Sequence, residues 1–239
     1  MAEAFHQLPI KHHVRRAMLK TIAKLPITPQ KPISGERILL IRPDHLGDIL
    51  LTTPAIETLR EAHPHAEIHA LVGPWSAEIL ANYTAIDNIL TLPFPGFSRS
   101  PNPGLRFPYQ LALRSARHLR LVGYSDAVIF RPDHWWGAML AFLAGIPRRI
   151  GYDLPDVAPF LTDALPHEHQ HVVRQNFKLI KTWTGDIDGA QVQLRFDTSE
   201  PDHAYINGYL EEWGIGTDKK IVCIHPGSGT WVKRWTETA

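Results

Sequence analysis

A single cysteine, Cys223, in 239 residues excludes an internal disulfide framework, and no cysteine pair stands at zinc-binding spacing. A reducing, cytoplasmic setting is therefore the expected one, and Cys223, inside a predicted strand, is expected to be an inert core thiol. No apolar run approaches the roughly 20 residues needed to span a bilayer, and no signal-peptide core with a cleavage site is visible. Net charge is nearly absent as well: 25 Lys and Arg face 24 Asp and Glu, a formal +1, which argues against a general nucleic-acid binder. Internal repeats and low-complexity tracts are missing too. What is present is an ordinary globular composition, 44% hydrophobic and 21% charged, sufficient for a sizeable core.

The charge that exists is unevenly placed. Residues 1–34 hold Lys11, Arg15, Arg16, Lys20, Lys24 and Lys31 against Glu3 alone. Within them Ile10, Val14, Ala17, Met18, Ile22 and Leu25 recur at helical spacing, the pattern of an interfacial helix. Two readings are open for this segment. Residues 5–25 could touch anionic lipid at the cytoplasmic face of an inner membrane, at about 1 kcal/mol per basic side chain near the surface, or the helix could pack on the domain with its charges solvated. Pro26, Pro29 and Pro32 then form a stiff linker.

From residue 35 strand and helix patterns alternate: strands at 37–42, 67–72, 86–91, 124–130 and 148–151, helices at 47–62, 75–82, 106–120 and 135–144. This predicts right-handed βαβ units around a parallel sheet, an α/β Rossmann-like domain over 35–200. The proline-rich loop 93–104 is predicted to overhang the sheet edge, and 152–167 to be another irregular excursion. A helix at 168–184, a strand at 190–195 and a helix at 202–213 follow. Residues 201–239 read as the start of a second domain, opened by a strand at 219–224. Too little chain follows to enclose another core, so a truncated second domain is expected.

The most informative segment is the first strand together with the loop and helix after it. Ile38 to Ile41 is a continuous apolar run, as in a strand covered on both faces. It leads into Arg42-Pro43-Asp44-His45-Leu46-Gly47-Asp48, where Gly47 permits a tight turn and Asp48 falls in the first helical turn. A carboxylate at such a crevice is suited to accept a proton, although an acidic residue there also simply complements the helix dipole. Arg42 could hold a phosphate or carboxylate through paired hydrogen bonds, and Asp44 or His45 could orient a sugar. Asp44 also reads as a turn former after Pro43. A second junction, Val128 to Gly137, repeats the tetrapeptide as Arg131-Pro132-Asp133-His134. In a parallel sheet both loops emerge at the same edge, so Arg131 and His134 join the candidate acceptor-binding residues. Trp135 and Trp136 either line that crevice or enter the core.

These residues carry a resemblance. The run from Arg37 through Asp48 into Ile49-Leu50-Leu51-Thr52-Thr53-Pro54-Ala55-Ile56 is similar to the amino-terminal signature of glycosyltransferase family 9, the ADP-heptose:lipopolysaccharide heptosyltransferases and their relatives. Ile221 to Trp235 resembles the segment that opens that family's nucleotide-binding domain. Weaker likenesses lie at Arg148 to Tyr152 and at His171 to Asn176. The resemblance, over residues 37–235, implies a GT-B fold with two Rossmann-like domains. It implies an inverting transfer of heptose or a similar sugar from a nucleoside-diphosphate sugar to a surface glycan or lipid-linked acceptor, with neither cofactor nor metal. Asp48 would be the catalytic base. Ser228, Gly229, Thr230 and Lys233 would receive the donor's diphosphate.

Two rival functions fit parts of the same pattern. A non-catalytic sugar- or nucleotide-binding module could share the scaffold, whereas a nicotinamide-dependent oxidoreductase is disfavoured by the missing Gly-x-Gly-x-x-Gly after the first strand. His167-Glu168-His169-Gln170-His171 matches the zinc-protease spacing formally, but it follows Pro166 at a predicted helix start rather than lying deep in a helix.

Overall fold

The computed structural model describes residues 10–31, 35–97, 104, 106–187, 193–216, 219–228 and 235. They fall into two units, residues 1–197 and 198–239. The first is built on six parallel strands: β1 (Arg37–Arg42), β2 (Glu67–Val72), β3 (Asn88–Thr91), β4 (Asp126–Ile129), β5 (Arg148–Tyr152) and β6 (Asp163–Leu165). Their spatial order is β3-β2-β1-β4-β5-β6, so the chain winds outward from β1 in one direction, returns, and winds outward in the other. The reversal lies between β1 and β4, which pair from Ile38 with Asp126 to Ile41 with Ile129. Open α/β sheets place ligands at the carboxyl ends of the strands at that point, and both Arg-Pro-Asp-His tetrapeptides start there.

Strand side chains alternate between faces, and both faces are covered. Ile38 and Leu40 join Ile56, Leu59, Leu179 and Ile180 in one apolar cluster. Leu39 and Ile41 join Ala116, Leu119, Met139 and Leu140 in the other. The helices supplying the first cluster are α3 (Thr53–Ala62) and α6 (Val172–Thr184); those supplying the second are α1 (Ile10–Ile22), α4 (Phe107–Val122) and α5 (Trp135–Leu143).

The helix expected over 47–62 is two helices, α2 (Leu46–Leu50) and α3. Pro54 explains the interruption, because it has no N–H to continue the ladder and disfavours helical geometry in the residue before it. Hydroxyls occupy the break: Thr52 Oγ1 donates to the Asp48 carbonyl and Thr53 Oγ1 to that of Leu50, both at 2.8 Å. From α6, the fully buried Asn176 donates Nδ2 to the Leu51 carbonyl at 2.8 Å. The short helix bearing Asp48 is thereby tied to the opposite wall of its layer.

Other boundaries moved for local reasons. The helix at 75–82 is a 3₁₀ turn over Ala77–Leu80. The excursion at 152–167 contains a 3₁₀ turn and the edge strand β6, whose three residues are too few to show a pattern between Pro159 and Pro166. Of the strand expected at 190–195, residues 193–195 are irregular and 190–192 lie outside the described residues. The loop at 93–104 does not simply overhang: Phe94 is fully buried, while residues 98–103 lie outside the described set.

Helix α1 packs on the domain, yet of the apolar stripe Ile22 packs on the core while much of the rest faces outward. Leu19 is fully buried, whereas Val14 and Met18 are 63% and 37% exposed. Its two arginines point to the domain instead, with Arg15 Nη2 and Arg16 Nε 2.6 and 2.8 Å from the Asp156 carboxylate.

The second unit carries α7 (Glu200–Glu212), opened by a reciprocal capping box between Ser199 and Asp202. No residue of α7 is buried. Residues 219–224 form no strand, and Cys223 is exposed rather than in a core. The apolar pattern Ile221, Val222, Ile224 is real, yet a strand needs a neighbour to accept its backbone hydrogen bonds, and none pairs with it among the described residues.

Candidate active site

The two tetrapeptides are stitched together by one carboxylate. Asp44, 3% exposed, sits between two guanidiniums: its Oδ2 is 2.7 Å from Arg42 Nε, and its Oδ1 pairs with Arg131 Nη1. The Arg42 contact is an ion pair off the hydrogen-bond axis, since neither of those two atoms completes a hydrogen bond. Arg42 also donates Nη1 to the Phe130 carbonyl at 3.1 Å, which fastens the end of β1 to the end of β4. Trp75 closes the other side by donating its indole N–H to the carbonyls of Pro43 and Asp44, at 3.2 and 3.1 Å.

Asp48 stands in front of this buried core. Its side chain is 45% exposed, and Oδ1 lies 3.5 Å from Arg42 Nη2. Its Oδ2 has no partner among the described residues, and its backbone N–H donates to the His45 carbonyl at 3.1 Å. The carboxylate is thus held at one oxygen and open at the other. His45 is exposed beside it, 5.7 Å from the Trp75 ring.

Exposure separates the sequence candidates into two groups. Asp48, His45 and Arg131 reach the surface, whereas Arg42, Asp44 and His134 are 6%, 3% and 4% exposed and lie behind it. Arg42 cannot present a free fork, because Phe130, Asp44 and Asp48 occupy it; burial pulls its pKa below the usual value against the pull of those two carboxylates. Arg131 is also engaged, through Asp44 and through Asp133 at 2.6 Å. With three carboxylates around two guanidiniums, this edge is not strongly cationic.

His134 lies in an aromatic box, its ring 5.2 Å from Phe94, 5.8 Å from Phe97 and 6.4 Å from Trp136. Neither ring nitrogen has a hydrogen-bond partner among the described residues. Burial, helped by nearby Arg131, holds its pKa down at about 3. Gly137 makes room for that ring, since a Cβ at 137 would collide with Nδ1. The tryptophans part company. Trp136 is core, 2% exposed, with its N–H on the Pro108 carbonyl, while Trp135 remains half-buried beside Tyr109.

Of the remaining candidates, Ser228 is described, while Gly229, Thr230 and Lys233 lie outside the described residues. The His-Glu-His-Gln-His run precedes α6 in an irregular segment, where His171 caps the helix by accepting from the Val173 N–H at 3.4 Å, so no helical face carries the two end histidines. A cavity of about 340 Å³ lines α6 near Arg174, but it includes no residue of either tetrapeptide, and its lysines, Lys178 and Lys181, are paired with Glu168 and Asp186. Sequence reasoning missed Trp75, because nothing local marks an indole that another loop will engage, and Asp133, which pairs with Arg131 of its own tetrapeptide.

Comparison with known proteins finds relatives of this chain. The sequence model of glycosyltransferase family 9 (heptosyltransferase) matches residues 112–239, a stretch that includes Arg131 and His134 but not residues 42–48. Lipopolysaccharide heptosyltransferase 2 of Escherichia coli (strain K12) is 26% identical over 208 residues, 83% of this chain and 56% of that protein. A family 9 glycosyl transferase structure from Veillonella parvula superposes with a TM-score of 0.70 at 20% identity, over 87% of this chain and 57% of the other. The structure of E. coli ADP-heptose LPS heptosyltransferase II gives 0.58 at 18%, over 76% and 52%. The architecture is that of GT-B heptosyltransferase structures, and the chain spans just over half the length of these relatives.

Two measurements check the geometry. Asp44→Ala strands two guanidiniums, one of them buried, and should lower unfolding free energy in urea by about 3 kcal/mol, whereas Asp48→Asn at the surface should change it by no more than about 0.5 kcal/mol. Similar losses in both would remove Asp44 from its central place. For His134 the pKa is about 3 in the folded chain against an ordinary 6.5. The unfolded state alone binds that proton between those values, so this contribution is intact above pH 6.5 and is lost as pH falls toward 3. In that window wild type should lose roughly 1 kcal/mol per pH unit more than His134→Leu; parallel stability curves would contradict a buried neutral imidazole.

Proposed function

The chain belongs to glycosyltransferase family 9, and from that premise we propose that it is the acceptor-side part of an inverting transferase that moves a heptose or similar sugar from a nucleoside-diphosphate donor to a surface glycan acceptor of the lipopolysaccharide type. The observation that carries this reading is Asp48: a carboxylate at the switch point, 45% exposed, with one oxygen against Arg42 and the other open. In the proposed step Asp48 takes the proton from an acceptor hydroxyl as that oxygen attacks the anomeric carbon. The bond from that carbon to the diphosphate breaks on the opposite side, and the nucleoside diphosphate leaves with the electron pair.

Arg42 and Asp44 then act from behind as positioning residues, and His45 and Arg131 are the members of the set placed to touch the acceptor. One structural relative is an ADP-heptose LPS heptosyltransferase, which supports an ADP-heptose-like donor. The segment from Ser228 through Gly229 and Thr230 to Lys233 is proposed to receive its diphosphate, where amides and an ammonium would offset the charge on the leaving group; none of these steps uses a metal. Because α7 buries nothing and Ile221, Val222 and Ile224 are exposed, these 239 residues by themselves are expected to bind donor weakly and turn over little. A peripheral contact at the cytoplasmic face of a membrane is supported by the outward Val14, Met18 and Leu25 of the basic amino-terminal segment.

The test is Asp48→Asn, assayed for transfer from an ADP-heptose donor in a version of the chain joined to a family 9 donor-binding half. A base role predicts that kcat falls by about 10²–10⁴-fold with KM for acceptor changed only slightly. Unchanged kcat would favour a binding module without catalysis on the same scaffold.

A further inference from the structure

A hollow of about 290 Å³ opens beside the second tetrapeptide, between α1, the start of α5 and the loop after β5. Arg15, Arg16, Asp133, Trp135 and Asp156 line it, over an apolar floor of Leu154 and Val157. Its volume sits at the small end of ligand pockets, about 300–1,000 Å³, which suits one ring rather than a chain of them.

The lining has the chemistry of sugar recognition. Trp135 gives a partly exposed aromatic surface, steadied by Tyr109 at 6.5 Å between rings and by the Arg15 guanidinium 5.7 Å above it. An aromatic wall of this kind suits the apolar C–H surface of a pyranose, while a few fixed polar side chains suit its hydroxyls. Asp156 fixes both arginines, yet Arg16 spends only its Nε there, and its terminal NH₂ groups have no partner among the described residues. Asp133, 64% exposed, is held by Arg131, which in turn holds Asp44. The hollow is therefore linked by a continuous set of ion pairs to the Arg42 that contacts Asp48.

Helix α1 lies outside the stretch, residues 37–235, that carries the sequence resemblance to the family. The unexpected orientation of α1, arginines inward and Val14 outward, is what builds this wall of the hollow.

We propose that this hollow is an acceptor subsite that holds one pyranose ring of the glycan, packed against Trp135 and hydrogen-bonded by Arg16 and Asp133, at a distance from the hydroxyl that reacts. The assignment rests on the acceptor-side role of the chain, and it makes the amino-terminal helix a determinant of acceptor choice.

The experiment needs no turnover. Methyl glycosides of glucose, galactose and mannose, with methyl glucuronide as a carboxylated ring, are titrated into the purified 239-residue chain and followed by saturation-transfer NMR and tryptophan fluorescence. At least one should bind in the millimolar range, and Trp135→Ala and Arg16→Gln should each weaken it roughly tenfold. Lys178→Gln on α6, which does not line this hollow, should bind as wild type does, and urea midpoints confirm that all variants fold. Absence of glycoside binding, or binding that neither Trp135→Ala nor Arg16→Gln weakens, overturns the subsite. Loss of binding in those two variants together with unchanged kcat in Asp48→Asn keeps the subsite and removes the transferase reading; normal Asp48 dependence with no effect at Trp135 does the reverse.

Discussion

One buried carboxylate governs the geometry of the carboxyl edge of this sheet. Asp44 faces Arg42 from the first loop and Arg131 from the second, with 3% of its surface exposed. Charges so placed are costly to desolvate and are tolerated when each meets an opposite partner. The return is registry. Two loops from strands adjacent in the sheet but far apart in sequence are held in one arrangement, and Asp48 and Asp133 project from it on either side. The Phe130 carbonyl and the Trp75 indole reinforce the same junction from the backbone side.

Topology does the rest of the positioning. Because β1 and β4 are neighbours at the point where the winding reverses, their loops emerge side by side at the place where open α/β sheets put ligands. The helices on both sides bring what the strands cannot. Asn176 reaches from α6 to the break that presents Asp48, and Gly137 in α5 leaves room for the ring of His134.

Much of this arrangement is legible in the residues alone. Alternating strand and helix patterns locate the first five strands, and the duplicated Arg-Pro-Asp-His correctly places two loops at one edge. The family resemblance is likewise visible in residues 37–56 and 221–235. What the residues do not disclose is which charged groups face each other. Arg42 and Arg131 have the same local sequence, yet one is buried behind the surface and the other is one-third exposed. Part of that difference is a neighbour remote in sequence, because Arg42 reaches the Phe130 carbonyl of the other loop while Arg131 pairs with Asp133 in its own, and no periodicity encodes it. The edge strand β6 and the inward turn of the α1 arginines escape for the same reason, since each depends on a partner remote in sequence: β5 in one case, Asp156 in the other.

The aromatic enclosure of His134 has a bearing on how the crevice responds to acidity. An imidazole is ordinarily the group whose charge changes between pH 5 and 8, and one occupies the middle of this edge. Surrounded by Phe94, Phe97 and Trp136, it stays uncharged through that whole interval. The electric field it contributes is therefore constant there, and any inflection that the crevice shows near neutrality originates in a different group.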